Sequence, residues 1–183
     1  LIGNYIYLSD NGLPKQNDGA FAVPQIWLRK IFKVGSFYLD NEIVYQAVPD
    51  GSPINVPAVM GRHQLSLERS VFRNALKFAT GIEARYNTTY APAGYNAQWN
   101  RFYFQQTDEI ENLPELSVFF NFRIKRFRAF LSGDNLQQLL GANTILFTGS
   151  PIRSRTTGEV LYNPVYAMPN LQFRFGFSWI MVN

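Results

Sequence analysis

The chain has 183 residues, of which 46% are hydrophobic, 16% aromatic and only 16% charged, with 17 Lys and Arg against 13 Asp and Glu and no cysteine. That length holds one domain rather than two, and a ring-rich chain of this kind is neither disordered nor collagen-like. Disulfides and thiolate metal sites are excluded, the net charge of +4 is too small and dispersed for a nucleic-acid stripe, and no run approaches the roughly 18 apolar residues of a helical membrane span.

The chain opens at Leu1 with no initiator Met and no signal-type run, and it reads as a processed or partial chain. Residues 1–8 and 20–32 are strand-like but alternate poorly, and Pro24 weakens the start of the second. From there the period-two pattern of a strand with two unlike faces is plain. Phe37, Leu39, Ile43 and Tyr45 oppose Asp40, Glu42 and Gln46. Leu65, Leu67 and Val71 oppose Gln64, Ser66, Glu68 and Ser70. Leu76, Phe78, Ile82, Ala84 and Tyr86 oppose Lys77, Gly81, Glu83 and Arg85. Leu116, Val118, Phe120, Phe122 and Ile124 oppose Ser117, Asn121, Arg123 and Lys125, with Phe119 as the exception. Phe127, Ala129 and Leu131 oppose Arg128 and Ser132, with Phe130 out of step. Residues 134–141 are the one helical-looking piece, with an Asp or Asn N-cap, Leu136, Leu139 and Leu140 at helical spacing, and a closing Gly141. The last segment alternates most cleanly: Leu171, Phe173, Phe175, Phe177, Trp179 and Met181 against Gln172, Arg174, Gly176 and Ser178.

The pattern amounts to about eight strands, several longer than the roughly 5–6 residues of soluble strands and close to the 9–11 of a transmembrane strand. Tight turns are expected at residues 33–35, 73–74 and 125–126, and the connections 9–19, 47–60, 88–113 and 134–169 are long. A compact soluble domain rarely holds several structureless loops beyond about 12–15 residues. A transmembrane antiparallel up-and-down β-barrel has short periplasmic turns and long extracellular loops, and the chain would then end on the periplasmic side.

Alternation by itself fits a soluble sandwich as well as a barrel, since each has one apolar face. The barrel is favoured by the mixed charges and glycines of the polar parity, by the loop lengths, and by rings near strand ends (Trp27, Tyr45, Tyr86, Trp179) where a membrane interface favours them. The expected lumen-facing residues are Asp40, Glu42, Glu68, Lys77, Glu83, Arg85, Asn121, Arg123, Arg128 and Arg174. The expected lipid-facing residues are Phe120, Phe122, Phe173, Phe175, Phe177 and Trp179. Arginine outnumbers acid on the later strands, which predicts a mild anion preference.

Residues 123–141, RIKRFRAFLSGDNLQQLLG, and 166–183, YAMPNLQFRFGFSWIMVN, resemble the C-terminal end of Bacteroidetes-type outer-membrane barrels. The match is to the putative β-barrel porin family first and the barrel end of TonB-dependent transporters second. The matched pieces are a hairpin at 123–134, a short Asn-Leu helix at 135–140, the Met168-Pro169 approach, and a closing strand with Phe173, Phe175, Gly176, Phe177 and Trp179. The resemblance implies a bacterial outer-membrane location and passive diffusion of small hydrophilic solutes. It also implies contact with outer-membrane lipid, and recognition of the terminal strand by the barrel-assembly machinery. The usual closing aromatic is replaced here by Met181-Val182-Asn183. Eight strands enclose an interior that side chains fill, so residues 1–183 are expected to be either a single plugged barrel or the C-terminal part of a larger one. The alternative is a barrel component of an envelope secretion or uptake assembly whose long loops bind other envelope proteins.

No nucleophile, zinc or phosphate-loop motif occurs, so no enzyme activity, metal or cofactor is expected. His63 reads as a surface or interface residue. The acidic run Asp108, Glu109, Glu111 and Glu115 reads as a solvated loop, and Tyr95, Trp99, Phe102, Tyr103 and Phe104 as girdle or loop packing.

Overall fold

We describe a computed structural model that covers residues 2–9, 12–110, 114–139, 161–163, 166–167 and 171–180. The described residues fold into strands alone, apart from one 3-10 turn. In order these are β1 (Ile6–Leu8), β2 (Pro14–Gln16), β3 (Gln25–Val34), β4 (Phe37–Gln46), β5 (Val59–Val71), β6 (Leu76–Asn87) and β7 (Gly94–Asn96). They are followed by β8 (Arg101–Tyr103), β9 (Glu115–Ile124), β10 (Phe127–Asp134), the turn η1 (Leu136–Gln138), β11 (Leu161–Asn163), β12 (Tyr166–Ala167) and β13 (Gln172–Trp179). Seven strands of 8 to 13 residues form one antiparallel sheet in the order β13-β10-β9-β6-β5-β4-β3.

The all-β antiparallel architecture matches the expectation, and the sheet is open. Its edges, β3 and β13, do not pair with each other. Among the described residues this sheet has seven strands, against the expected eight or so. Residues 1–8 contribute only β1, which pairs with β2 in a separate ribbon. The strand-like but poorly alternating segment is thus not part of the large sheet; it pairs with the next segment of the chain. β5 starts earlier than the alternation suggests, at Val59, which shortens the preceding loop.

The connections alternate as the loop lengths imply. Gly35-Ser36, the four residues 72–75, and Lys125-Arg126 turn the chain at one end of the sheet, with Gly35 at φ +59, a conformation that suits a residue without Cβ. The long connections gather at the other end. Where a short helix was expected within residues 134–141, the described part forms a single 3-10 turn, Leu136–Gln138. Asn135 adopts φ +62 and makes no side-chain cap bond, so the chain leaves β10 through a single 3-10 turn; Leu140 and Gly141 lie outside the described residues.

Directly opposed residues of antiparallel strands share a face, so register sorts the sheet into two. One row crosses all seven strands as Val34, Phe37, Leu67, Thr80, Phe120, Leu131 and Phe175. This is the apolar face. Phe119 and Phe130, the two rings out of step, lie on the opposite, polar face, and each stands directly across from a glycine, Gly81 and Gly176. A Cβ at Gly81 would run into the Leu65 carbonyl oxygen and the Phe119 ring, and one at Gly176 into the Phe130 ring. The ring covers backbone that glycine leaves bare, a pairing that fixes register.

Among the described residues no second layer covers the apolar face; only Leu136 and Leu139, at the 3-10 turn, border its loop end beside Leu65, Ile82, Leu116 and Val118. Phe173, Phe175, Phe177 and Trp179 are exposed, Phe175 by 80%, and Ile110 is the one buried hydrophobic residue among those described. A soluble sandwich closes a second sheet over such a face; here the rings touch only neighbours on the same surface, as in the chain Phe78–Phe120–Phe122–Phe127–Phe177 with centroids 5.8–6.2 Å apart.

Gly81→Val is expected to destabilise the folded protein by about 1–3 kcal/mol through overpacking, measured as a lowered urea midpoint in detergent. Adding Phe119→Leu, which shrinks the opposing ring, is expected to recover part of that loss.

Candidate functional site

The sheet's polar face carries the chemistry. Asp40 and Glu42 on β4, Glu68 on β5, Lys77, Glu83 and Arg85 on β6, Asn121 and Arg123 on β9, Arg128 on β10 and Arg174 on β13 all share it. The six rings expected on the other side, Phe120, Phe122, Phe173, Phe175, Phe177 and Trp179, share the apolar face.

Register divides the charges into groups. Nearer the long loops, β3 to β6 hold a connected network. The Arg29 guanidinium donates to both Asp40 carboxylate oxygens, at 3.0 and 2.7 Å. Arg62 donates from Nε and Nη2 to Glu83 Oε2 at 2.9 and 2.6 Å, and to Gln64 Oε1 at 2.8 Å. Its Nη1 stands 3.8 Å from both Asp40 and Glu42. Arg85 reaches the other Glu83 oxygen at 2.7 Å, and Trp27 Nε1 donates to Glu42 at 2.7 Å. Three arginines thus meet three carboxylates, and the network is neutral. On the far edge, Arg174 pairs with Asp134 at 2.6 Å.

Toward the tight turns the pattern changes. Lys77, Arg123 and Arg128 stand directly opposite one another on β6, β9 and β10. Among the described residues no carboxylate lies within 4.0 Å of any of them. Arg123 Nε donates to the Lys125 carbonyl at 3.1 Å.

Sequence reading missed Arg29, Arg62 and Asp134 as members of this face, whereas Gln64 lies on the polar parity expected of it. Arg62 was legible in principle, because the Leu65 and Leu67 parity extends back through His63 and Gly61 to Val59. Arg29 was masked, since Ile31 shares its face and Lys30 lies on the other. Trp27 was expected among interfacial rings; it lies instead on the polar face, hydrogen-bonded to Glu42. Tyr45, Tyr86 and Trp179 are on the apolar face near strand ends.

The apolar face has polar interruptions. Arg69 stands on it opposite Phe78, and Lys30, Asn41 and His63 stand in register on β3, β4 and β5. His63 Nδ1 donates to Asn41 Oδ1 at 2.7 Å, and its ring stacks on Tyr86 at 5.6 Å. His63 therefore lies on a face of the sheet, engaged by its neighbours there.

The long connections lock together at the loop end. Asn55 donates to the carbonyls of Ala91 and Gln105, both at 2.7 Å. Buried Gln105 donates to Pro92 and Asp108 carbonyls and accepts from the Thr107 and Asp108 amides. Of the aromatic cluster, Tyr95 packs on Phe102 at 5.2 Å in the β7–β8 hairpin, and Phe104 packs on Tyr7 at 5.4 Å, tying β1 to this loop. Of the acidic run, Asp108 belongs to the Gln105 knot, Glu115 starts β9, and Glu111 lies outside the described residues, as do Met168-Pro169 and Met181-Val182-Asn183. Among the described residues no three acidic or histidine side chains converge as a metal site would need.

No curated protein and no solved structure matches the chain. A family model described as "Putative porin" matches residues 1–181. With a charged face, an uncovered apolar face and a match over almost its whole length, the chain belongs to that porin family.

Proposed function

We propose that the sheet is wall of an outer-membrane β-barrel channel that passes small hydrophilic solutes by passive diffusion. The apolar face meets lipid and the charged face lines the aqueous lumen. The observation that carries this reading is the uncovered apolar face, on which rings such as Phe175 remain 80% exposed. Water strongly disfavours so large a contiguous apolar surface, whereas hydrocarbon accepts it. Strand length supports the same reading: ten residues at about 3.3 Å each, tilted by about 40°, cover roughly the 25 Å apolar band of such barrels.

The open edges extend the proposal. In hydrocarbon each N–H and C=O must be paired, so β3 and β13 each need a neighbour. A seven-stranded sheet is also too narrow to enclose water, because even eight strands give an interior filled by side chains. We therefore place this sheet within a larger barrel whose further strands close it and widen the lumen. The tight turns then face the periplasm and the interlocked loops the exterior. Outer-membrane lipid is the direct partner, the barrel-assembly machinery is the partner during insertion, and the interlocked loops are the surface available to other envelope proteins. The chemistry is transport without catalysis.

The two faces can be read by fluorescence in full-length protein reconstituted in vesicles. Variants retaining only Trp179 are expected to be quenched by lipids brominated on their acyl chains, and variants retaining only Trp27 by aqueous iodide. The reverse pattern would invert the assignment of faces. In planar bilayers, single insertions are expected to give ohmic current steps that scale with bulk electrolyte conductivity. Inserted, protease-protected protein that carries no current would reject the channel.

A further inference from the structure

The charges of the polar face are distributed unevenly, and the unevenness has a cost. Arg29, Arg62 and Arg85 are each matched by a carboxylate. Lys77, Arg123 and Arg128 are not, although they are direct cross-strand neighbours. Like charges directly opposite one another destabilise a sheet, and here two such pairs share Arg123. The row lies one residue inside Leu76, Ile124 and Phe127, at the tight-turn end of the sheet. These three cations border an open recess of about 840 Å³ whose rim also offers Tyr38, Ser70 and Asn121. Glu68 stands on the β5 side of the same recess, beyond ion-pair distance of all three cations. Arg69 also borders the recess, although its register places it on the opposite face; on the polar face, three fixed positive charges against one negative, with neutral hydrogen-bonding groups around them, suit a small ligand that carries several negative oxygens.

We propose that Lys77, Arg123 and Arg128 form an anion-binding subsite at the turn-side mouth of the lumen, selective for small oxyanions bearing two or more negative charges, such as phosphate and phosphate esters. The proposal rests on the reading that the polar face lines the channel. Guanidinium forks bind such oxygens in pairs, while the lysine ammonium adds a point charge. A bound dianion relieves the repulsion along the row. In a lumen walled by low-dielectric protein and lipid, the same charges draw anions in ahead of cations. The loop-side network does not contribute, since its arginines are already neutralised.

Two measurements on full-length protein separate this subsite from the channel reading. In planar bilayers under a potassium chloride gradient, the reversal potential is expected to show chloride preferred over potassium, and added inorganic phosphate is expected to reduce chloride current. Lys77→Gln, Arg123→Gln and Arg128→Gln should each lower the preference, and the triple variant should abolish both preference and block. Lys15→Gln, which removes one charge from the distant β2, should change neither. Calorimetric titration of inorganic phosphate into detergent-solubilised protein reads the subsite without any current. Affinity is expected to fall about tenfold for each arginine removed. A conducting channel that prefers potassium, or that stays phosphate-blocked in the triple variant, overturns the subsite and leaves the channel standing. Protein that binds phosphate through these residues yet carries no current overturns the channel and leaves the subsite. Absence of saturable phosphate binding overturns the subsite in either case.

Discussion

Each residue of an antiparallel ladder is committed by the pleat to one of two faces, and each interior backbone amide to one of two neighbours. That double commitment organises this molecule. From Val34 on β3 to Phe175 on β13, one row of partners carries nearly unbroken apolar side chains across the sheet. A residue's distance along its strand from that row decides whether it belongs with rings or with charges. Among the described residues no second sheet covers the apolar side, which is the ground for our proposal that lipid surrounds it. The backbone ladder is what makes such a surrounding tolerable, because hydrocarbon offers amides nothing to bond to.

The charged side obeys a different economy. Close pairing of Arg29 with Asp40 and of Arg62 with Glu83 satisfies groups that would otherwise repel one another along adjacent strands. These bonds hold the loop half of the wall as a neutral lattice. Nearer the tight turns the lattice stops, and three cations remain together on β6, β9 and β10. Stability alone favours a carboxylate among them, and that imbalance is what the proposed anion subsite rests on.

Much of this was legible in the sequence, for a physical reason. On β4, β6, β9, β10 and β13 the environment changes sign with every residue, so the alternation records which side each residue takes. What was hidden needed a partner from elsewhere in the chain. Phe119 and Phe130 look like errors until Gly81 and Gly176 are placed across from them. The early half of β5 is obscured by Gly61, Arg62 and His63, and only the Tyr86 ring lying over Gly61 restores its place on the apolar side. Residues 1–8 carry strand-like composition, but their fate is decided by contacts such as Phe104 N–H to the Leu8 carbonyl at 2.8 Å. The charge pairs depend on register, which one sequence does not disclose. Asn135, suited to cap a helix with its side chain, takes the left-handed conformation at the start of the 3-10 turn and makes no side-chain cap bond.

The glycines that sit beneath rings have a consequence for how such a wall is built. A strand displaced by one position would present arginines where rings belong, and that fault is gross. A displacement of two positions preserves the faces and is the subtler fault. It would drive Phe119 or Phe130 against a residue that has a Cβ, and leave the bare backbone of Gly81 or Gly176 uncovered. The ring and its glycine therefore act as a key and its notch, distinguishing the true alignment from the nearest one that hydrophobicity cannot tell apart.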